Sequence, residues 1–263
     1  MSKDSIAILT VATNKYIDYW SAMVQSADDV FAGSKTEIVA HVLTDQTDKA
    51  QGIVTNLKKI KVVIHKIQPY KWPEATLFRY RLINEIAKGV NEDLVMHLDA
   101  DMLVKSDFIS ELPDQFLNDI ALVIHPGFYR PPGLKRLKFY WQNKNYIRQD
   151  AERLMTFGRL GDWEISKLSQ SFVERKRRRN YVCGGTWFGF HDAFFKMVQE
   201  LSLLERADTE NGVLPKWHDE SILNNWASRN EVTLLPPSFC FEPKYPHLKS
   251  MNEYIRAVDK NEE

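Results

Sequence analysis

Residues 94–104 read Leu-Val-Met-His-Leu-Asp-Ala-Asp-Met-Leu-Val, and this stretch decides the fold. Residues 94–98 form a short apolar run of the kind found in a strand buried on both faces, and the run stops directly at Asp99. Working outward toward the N-terminus, residues 77–87 have helical spacing, 60–67 alternate as a strand, and 37–44 (EIVAHVLT) are β-rich. Residues 16–31 place Tyr19, Met23 and Val30 at helical intervals before Gly33, and residues 6–11 form another buried-strand run. Toward the C-terminus, residues 121–124 form a strand that enters HPGFY at 125–129. Residues 181–190 (YVCGGTWFGF) are a glycine-punctuated strand, and 194–204 and 218–226 are helices. Strands alternating with helices predict an α/β fold, with a mainly parallel, Rossmann-like central sheet and helices on both faces. Ligands of such sheets bind beyond the carboxyl ends of strands, where residues 11–13 and 99–101 would lie.

Two regions carry weaker patterns. Residues 131–180 are polar and basic, which predicts a mobile or partly helical excursion. Pro236, Pro237, Pro243 and Pro246 predict an extended path over the surface. No repeat and no Ser/Gly linker is present, so residues 1–263 are read as one domain.

Composition narrows the function classes. The 263 residues are 44% hydrophobic, enough for a sizeable core. Lys plus Arg equals Asp plus Glu at 35 each, which argues against a nucleic-acid partner. The charge is uneven, because residues 175–179 read Arg-Lys-Arg-Arg-Arg. That block is either a solvated loop or a surface attracted to anions, including a peripheral contact with a membrane. Cys183 and Cys240 are too few for a disulfide framework, although a single bridge is compatible with the sequence. The apolar run at 6–11 is too short for a signal peptide or a membrane span, and the expected location is cytoplasmic.

Asp99 and Asp101 at a strand end can converge on one divalent cation. Carboxylate oxygens suit Mn²⁺, with Mg²⁺ as the alternative, and such ions keep positions open for phosphates. The apolar residues on both sides of the pair argue that it is held in place rather than solvated. On residue type alone, other candidates have plain alternatives: Asp219 and Glu220 as first-turn acids of a helix, His125 as a turn residue, Arg79 as a surface arginine.

Several stretches, in order, raise these candidates together. They are VATNKY at 11–16, HVLTDQ at 41–46, Tyr70-Lys71-Trp72 with Arg79, LVMHLDADM at 94–102, HPGFY at 125–129, CGGTWFG at 183–189, WHDESILN at 217–224 and VDKN at 258–261. The chain resembles glycosyltransferase family 6, the family of the blood-group A and B transferases and the α-1,3-galactosyltransferase, over nearly the whole catalytic domain. The resemblance implies a GT-A fold, with residues 1–105 as the nucleotide-sugar-binding half and 106–263 as the acceptor-binding and catalytic half.

It also implies roles. Val11, Ala12 and Tyr16 match positions lining uridine, Arg79 an arginine beside the donor phosphates, and Asp99 and Asp101 the manganese motif. Asp219 matches a residue bonded to the transferred sugar, Glu220 the carboxylate proposed as nucleophile, and Lys260 a lysine closing over the diphosphate. His125, with Trp217, His218 and Glu242, belongs to the acceptor side. Cys183, Gly184 and Gly185 fall where members distinguish galactose from N-acetylgalactosamine, and small residues there resemble the N-acetylgalactosamine enzymes. The implied reaction is retaining α-1,3-type transfer of GalNAc or Gal from a UDP-sugar to an oligosaccharide or glycolipid. It proceeds either through a covalent glycosyl intermediate or by departure and attack on one face. Two readings compete: a retaining enzyme of the family 8 type, whose late His-x-x-Gly-x-x-Lys-Pro-Trp signature is absent here, and a sugar-binding protein on a decayed transferase fold.

Overall fold

The computed structural model describes residues 3–258. The elements run β1 (Ser5–Val11), α1 (Tyr16–Val30), β2 (Glu37–Thr44), α2 (Thr47–Val54), β3 (Lys61–Lys66), α3 (Glu74–Leu77), α4 (Arg79–Glu85), β4 (Leu94–Leu98) and β5 (Met102–Val104). The second part comprises β6 (Ile120–Ile124), α5 (Leu134–Gln142), α6 (Asn145–Phe157), β7 (Val182–Phe190), α7 (His191–Glu210), α8 (His218–Ala227), β8 (Thr233–Leu235) and β9 (Ile255–Ala257).

Seven strands form the central sheet in the order β3-β2-β1-β4-β7-β6-β8. All its pairings are parallel except the two that β7 makes, with β4 and with β6. The sheet is therefore an α/β sheet of the GT-A type, with one strand reversed near its middle. The reversal matters for function: the first residues of β7 lie at the edge where β1, β4 and β6 end.

Alternation along β1 explains why both faces are covered. Ile6 and Ile8 point into a core completed by Ile17, Trp20, Met23 and Ala27 of α1. Ala7 and Leu9 point the other way, toward Tyr80 and Ile83 of α4, Phe194 and Val198 of α7 and Ile222 of α8. A strand flanked by helices on both sides loses its polar face, which is why β1 and β4 read as continuous apolar runs.

The excursion between β6 and β7 contains α5 and α6, so it is helical where the weak pattern left its structure open. Its two feet meet, because Ile124 pairs with Val182. The C-terminal path is not simply extended over the surface: Pro237–Cys240 and Pro246–Leu248 form 3-10 turns, the first of them buried, and the path adds the short pair β5–β9, which brings Val258 N–H onto the Asp101 carbonyl at 2.9 Å.

Candidate active site

The strand ends assemble the site. Thr10 at the end of β1 donates its hydroxyl to the Leu98 carbonyl at 2.9 Å, and the Asp99 N–H donates to the Gly185 carbonyl at 3.0 Å. Asp99 is thereby fixed against the start of β7. A Cβ at Gly185 would lie 2.6 Å from Met102 Cε and 3.1 Å from Asp99 Oδ2, so a larger residue there would have to displace the end of Met102 and press on Asp99.

Arg79, buried at the start of α4, is the hub. Its Nη2 lies 2.8 Å from Asp99 Oδ1, and its Nη1 lies 3.1 Å from Asp219 Oδ2 and donates to the Gly184 carbonyl at 3.1 Å. One planar fork thus joins β4, β7 and α8, a geometry that a lysine's point charge would not reproduce. His97 Nε2 sits between Arg79 Nη1 and Asp99 Oδ1, 3.1 Å from each. Burial lowers its pKa while Asp99 opposes the shift.

Helix α8 brings the second carboxylate pair. Asn224 makes two bonds to the Val182 backbone, at 2.9 and 2.8 Å, and Tyr80 donates to the Asp219 carbonyl at 2.9 Å. His218 opens the helix at φ 44°, a left-handed conformation that is strained for a residue with a side chain. Glu220 Oε2 accepts the Gly184 N–H at 2.9 Å, and a Cβ at Gly184 would sit 3.2 Å from Asp219 Oδ2. The Tyr181 hydroxyl is buried facing Glu220 without forming a well-aligned hydrogen bond.

Electrostatics gives the cleft its character. Burial, reinforced by Asp99, pushes Asp219 up to about 7 even though Arg79 pulls it down. Burial likewise pushes Glu220 up to about 7 against the pull of the Gly184 N–H. Asp99, Asp101, Asp219 and Glu220 thus surround a single guanidinium, and the acids outnumber it. Among the described residues no three His, Cys, Asp or Glu side chains are grouped to hold a metal ion by themselves. The donor set fits a hard cation that completes its shell with phosphate oxygens and water. Such an ion would also balance the excess carboxylate charge.

Beyond β6, His125 Nδ1 accepts the Gly127 N–H at 3.0 Å, so the neutral ring carries its proton on Nε2. Burial lowers its pKa to about 4, opposed by Glu242. Its ring packs on Phe128 and Tyr181, at 4.9 and 5.8 Å. Glu242 pairs with Lys244, and its charge also acts on Tyr245, whose hydroxyl covers Gly127. Trp217 is half exposed and donates Nε1–H to Asp162 at 2.7 Å, while His218 meets Trp72 edge-on at 5.2 Å. Close by, a cavity of about 340 Å³ is lined by Arg136, Arg159, Arg179 and Tyr181.

The remaining candidates divide. Val11 ends β1, Ala12 is buried with its N–H on the Leu43 carbonyl at 2.9 Å, and Tyr16 opens α1 beside Tyr19. Cys183 is buried in the core, and it and Cys240 are both free thiols. Lys260 lies outside the described residues. The 175–179 block is not a uniform solvated patch. Arg178 is buried on the Val173 and Phe157 carbonyls, and Arg175 reaches the Leu154 and Met155 carbonyls at the end of α6.

Comparison with known proteins decides the family. The profile of glycosyltransferase family 6 matches residues 1–151, more than half the chain. The chain belongs to glycosyltransferase family 6. It is 22% identical over 271 residues to histo-blood group ABO system transferase 1 of Rattus norvegicus, covering 99% of this chain and 68% of that protein. It is 21% identical over 251 residues to globoside alpha-1,3-N-acetylgalactosaminyltransferase 1 of Homo sapiens, covering 94% of this chain and 64% of that protein. It is 24% identical over 261 residues to the O-antigen biosynthesis glycosyltransferase WbnI of Escherichia coli, covering 97% of this chain and 95% of that protein. The family 6 chain therefore spans about two thirds of the two animal proteins and nearly all of the bacterial one.

Some residues of the family 6 site escape a reading of the sequence. His97 has one visible signal, a histidine inside an otherwise apolar strand two residues before a carboxylate. Tyr181 reads as the first residue of a strand, and Tyr245 and Asp162 lie in loops without pattern, so only the folded chain brings them to the site.

Proposed function

We propose that this family 6 glycosyltransferase is a retaining α-1,3-type enzyme that moves GalNAc or Gal from a UDP-sugar to a glycan acceptor, an oligosaccharide or a glycolipid. The observation that carries the reading is the Arg79 fork, which ties Asp99 to Asp219 and sets Glu220 one residue away. Residues 1–105 bind the nucleotide sugar, through Val11, Ala12, Tyr16 and Arg79, and residues 106–263 supply the acceptor and catalytic groups. All three relatives are transferases by name and one of them is named for N-acetylgalactosamine transfer, which supports the reaction and favours GalNAc.

Asp99 and Asp101 would hold Mn²⁺, or Mg²⁺, and the ion when bound would neutralise charge on the departing diphosphate. The chain's own groups do the rest. Arg79 keeps Asp99 and Asp219 in register, and Asp219 accepts hydroxyls of the donor sugar. Gly184 and Gly185 leave room beside that sugar. His125 directs its Nε2–H toward an acceptor oxygen, with Trp217, His218 and Glu242 flanking. Glu220, oriented by the Gly184 N–H, faces the anomeric carbon. There it either forms the glycosyl bond as UDP leaves, to be displaced by the acceptor hydroxyl, or stabilises the oxocarbenium-like charge during attack on the same face.

UDP release measured with UDP-GalNAc and UDP-Gal, with Mn²⁺ and with chelator, tests the proposal. The expected outcome is Mn²⁺-dependent release, faster with UDP-GalNAc. A clear preference for UDP-Gal reverses the sugar order, and UDP-sugar binding without any release makes the protein a binder. Glu220→Gln should cut transfer by orders of magnitude while leaving UDP affinity nearly intact.

A further inference from the structure

Helix α5 is built inside out. Phe139 is its buried apolar side chain, whereas Leu134, Leu137 and Trp141 are 83%, 67% and 75% exposed. Spacings of three and four residues put these three on one stripe, and the helical repeat turns that stripe away from the side carrying Phe139. A helix that served only the core would present these residues inward. The orientation is fixed by burial beneath it. Arg130 holds Asp150 through two bonds of 2.7 Å, Tyr140 donates to the same carboxylate at 2.8 Å, and the guanidinium lies 5.4 Å from the Phe139 ring centre.

Charge identifies what covers the stripe. Residues 131–149 contain Lys135, Arg136, Lys138, Lys144 and Arg148 and no acid, in a chain whose charges balance at 35 each, and of these Arg148 is paired with Glu152 at 2.9 Å. An apolar stripe ending in tryptophan and flanked by basic residues matches a helix lying in the headgroup layer of an anionic bilayer. A second copy docked face to face would bring the same basic surface against itself. We infer that α5 seats the protein on anionic phospholipid, with Leu134, Leu137 and Trp141 entering the acyl boundary and Lys138, next to the stripe, meeting phosphates together with Lys135. On α6, Ile147, Leu154 and Met155 extend the exposed apolar surface. The 175–179 block, with Arg175 and Arg178 engaged on backbone carbonyls, is the lesser contact. Among the described residues no helix is long and apolar enough to cross a membrane.

Co-sedimentation of the whole chain with vesicles tests this, and no sugar donor is needed, so the outcome is independent of the proposed reaction. The probes are phosphatidylcholine alone and phosphatidylcholine mixed with phosphatidylglycerol. The mixed vesicles should bind the protein, less so as salt rises, and Leu137→Glu should weaken binding roughly tenfold or more with unchanged melting and unchanged UDP release. Replacing Lys135 and Lys138 together by Gln should reduce both the binding and its salt response. No sedimentation with mixed vesicles at low salt overturns the inference, as does equal binding by Leu137→Glu. A dimer in solution that Leu137→Glu dissociates assigns the stripe to a second copy and also overturns it.

Discussion

Arg79 Nη1 lies 3.1 Å from Asp219 Oδ2, across 140 positions of sequence, and both groups are buried. Removing the guanidinium strands two acids at once, Asp219 and Asp99. Breaking a buried pair in this way costs on the order of 3–5 kcal/mol. Arg79→Met should therefore lower the melting temperature markedly and abolish UDP release. Arg79→Lys should regain part of the stability and little of the turnover, because its single ammonium cannot serve both carboxylates and the Gly184 carbonyl. Thermal melts beside UDP-release rates separate the two effects.

Glu220 yields a prediction about stability and pH. Its pKa in the fold, about 7, lies above the ordinary 4.5, so between these values the folded protein keeps a proton that the unfolded chain has lost. Stability from this group is then full below about pH 4.5 and declines as pH rises toward 7. Glu220→Gln removes the penalty, so in chelator the variant should melt a few degrees above the parent at pH 8, with the gap closing near pH 5. A variant that melts lower at pH 8 would count against a buried, charge-strained Glu220.

His125 separates acceptor binding from loop structure. Asparagine can keep the acceptor atom facing the Gly127 N–H but lacks the distal N–H. His125→Asn should raise the acceptor KM at least several-fold, with melting and donor hydrolysis unchanged. His125→Ala should lose the loop bond as well and melt lower. Because burial holds the pKa near 4, His125 should add no pH dependence to acceptor binding between pH 6 and 8.

Metal removal bears on Asp99 and Asp101. Chelator should stop UDP release, and excess Mn²⁺ should restore it. Asp101→Asn should raise the Mn²⁺ requirement by roughly tenfold or more, since one charged oxygen ligand is lost. Release that continues undiminished in chelator would refute a metal role for the pair.

Much of the frame was legible because β1 and β4 are buried on both sides and their apolar runs carry no alternation to confuse. The strand end at Asp99 and the helix beginning at His218 followed from the same logic. The short strands at Met102, Thr233 and Ile255 were not legible, since three residues establish no period. Helix α2 hid for another reason, having only Ala50 buried. The region of α5 was read only as a mobile or partly helical excursion, because a nine-residue helix lies within a long polar and basic stretch. In the site, the acids were visible as motif members. The Arg79 fork, the Tyr181 contact and the place of His97 depend on distances that no spacing encodes.

The pairing of Ile124 with Val182 closes residues 125–181 at their base. The segment that carries His125, the arginine-lined cavity and the outward stripe of α5 is also tied to α7 and α8, by Ser169 and Gln170 on Asp208 and by Phe172 on Asn225. The strands that hold Asp99 and the helix that holds Glu220 lie outside that loop. The exposed face of α5 makes none of these ties, so it can be resurfaced without shifting the register of the sheet beneath. One side of the loop is thus free to vary, while the other is braced by the same helix that carries Glu220.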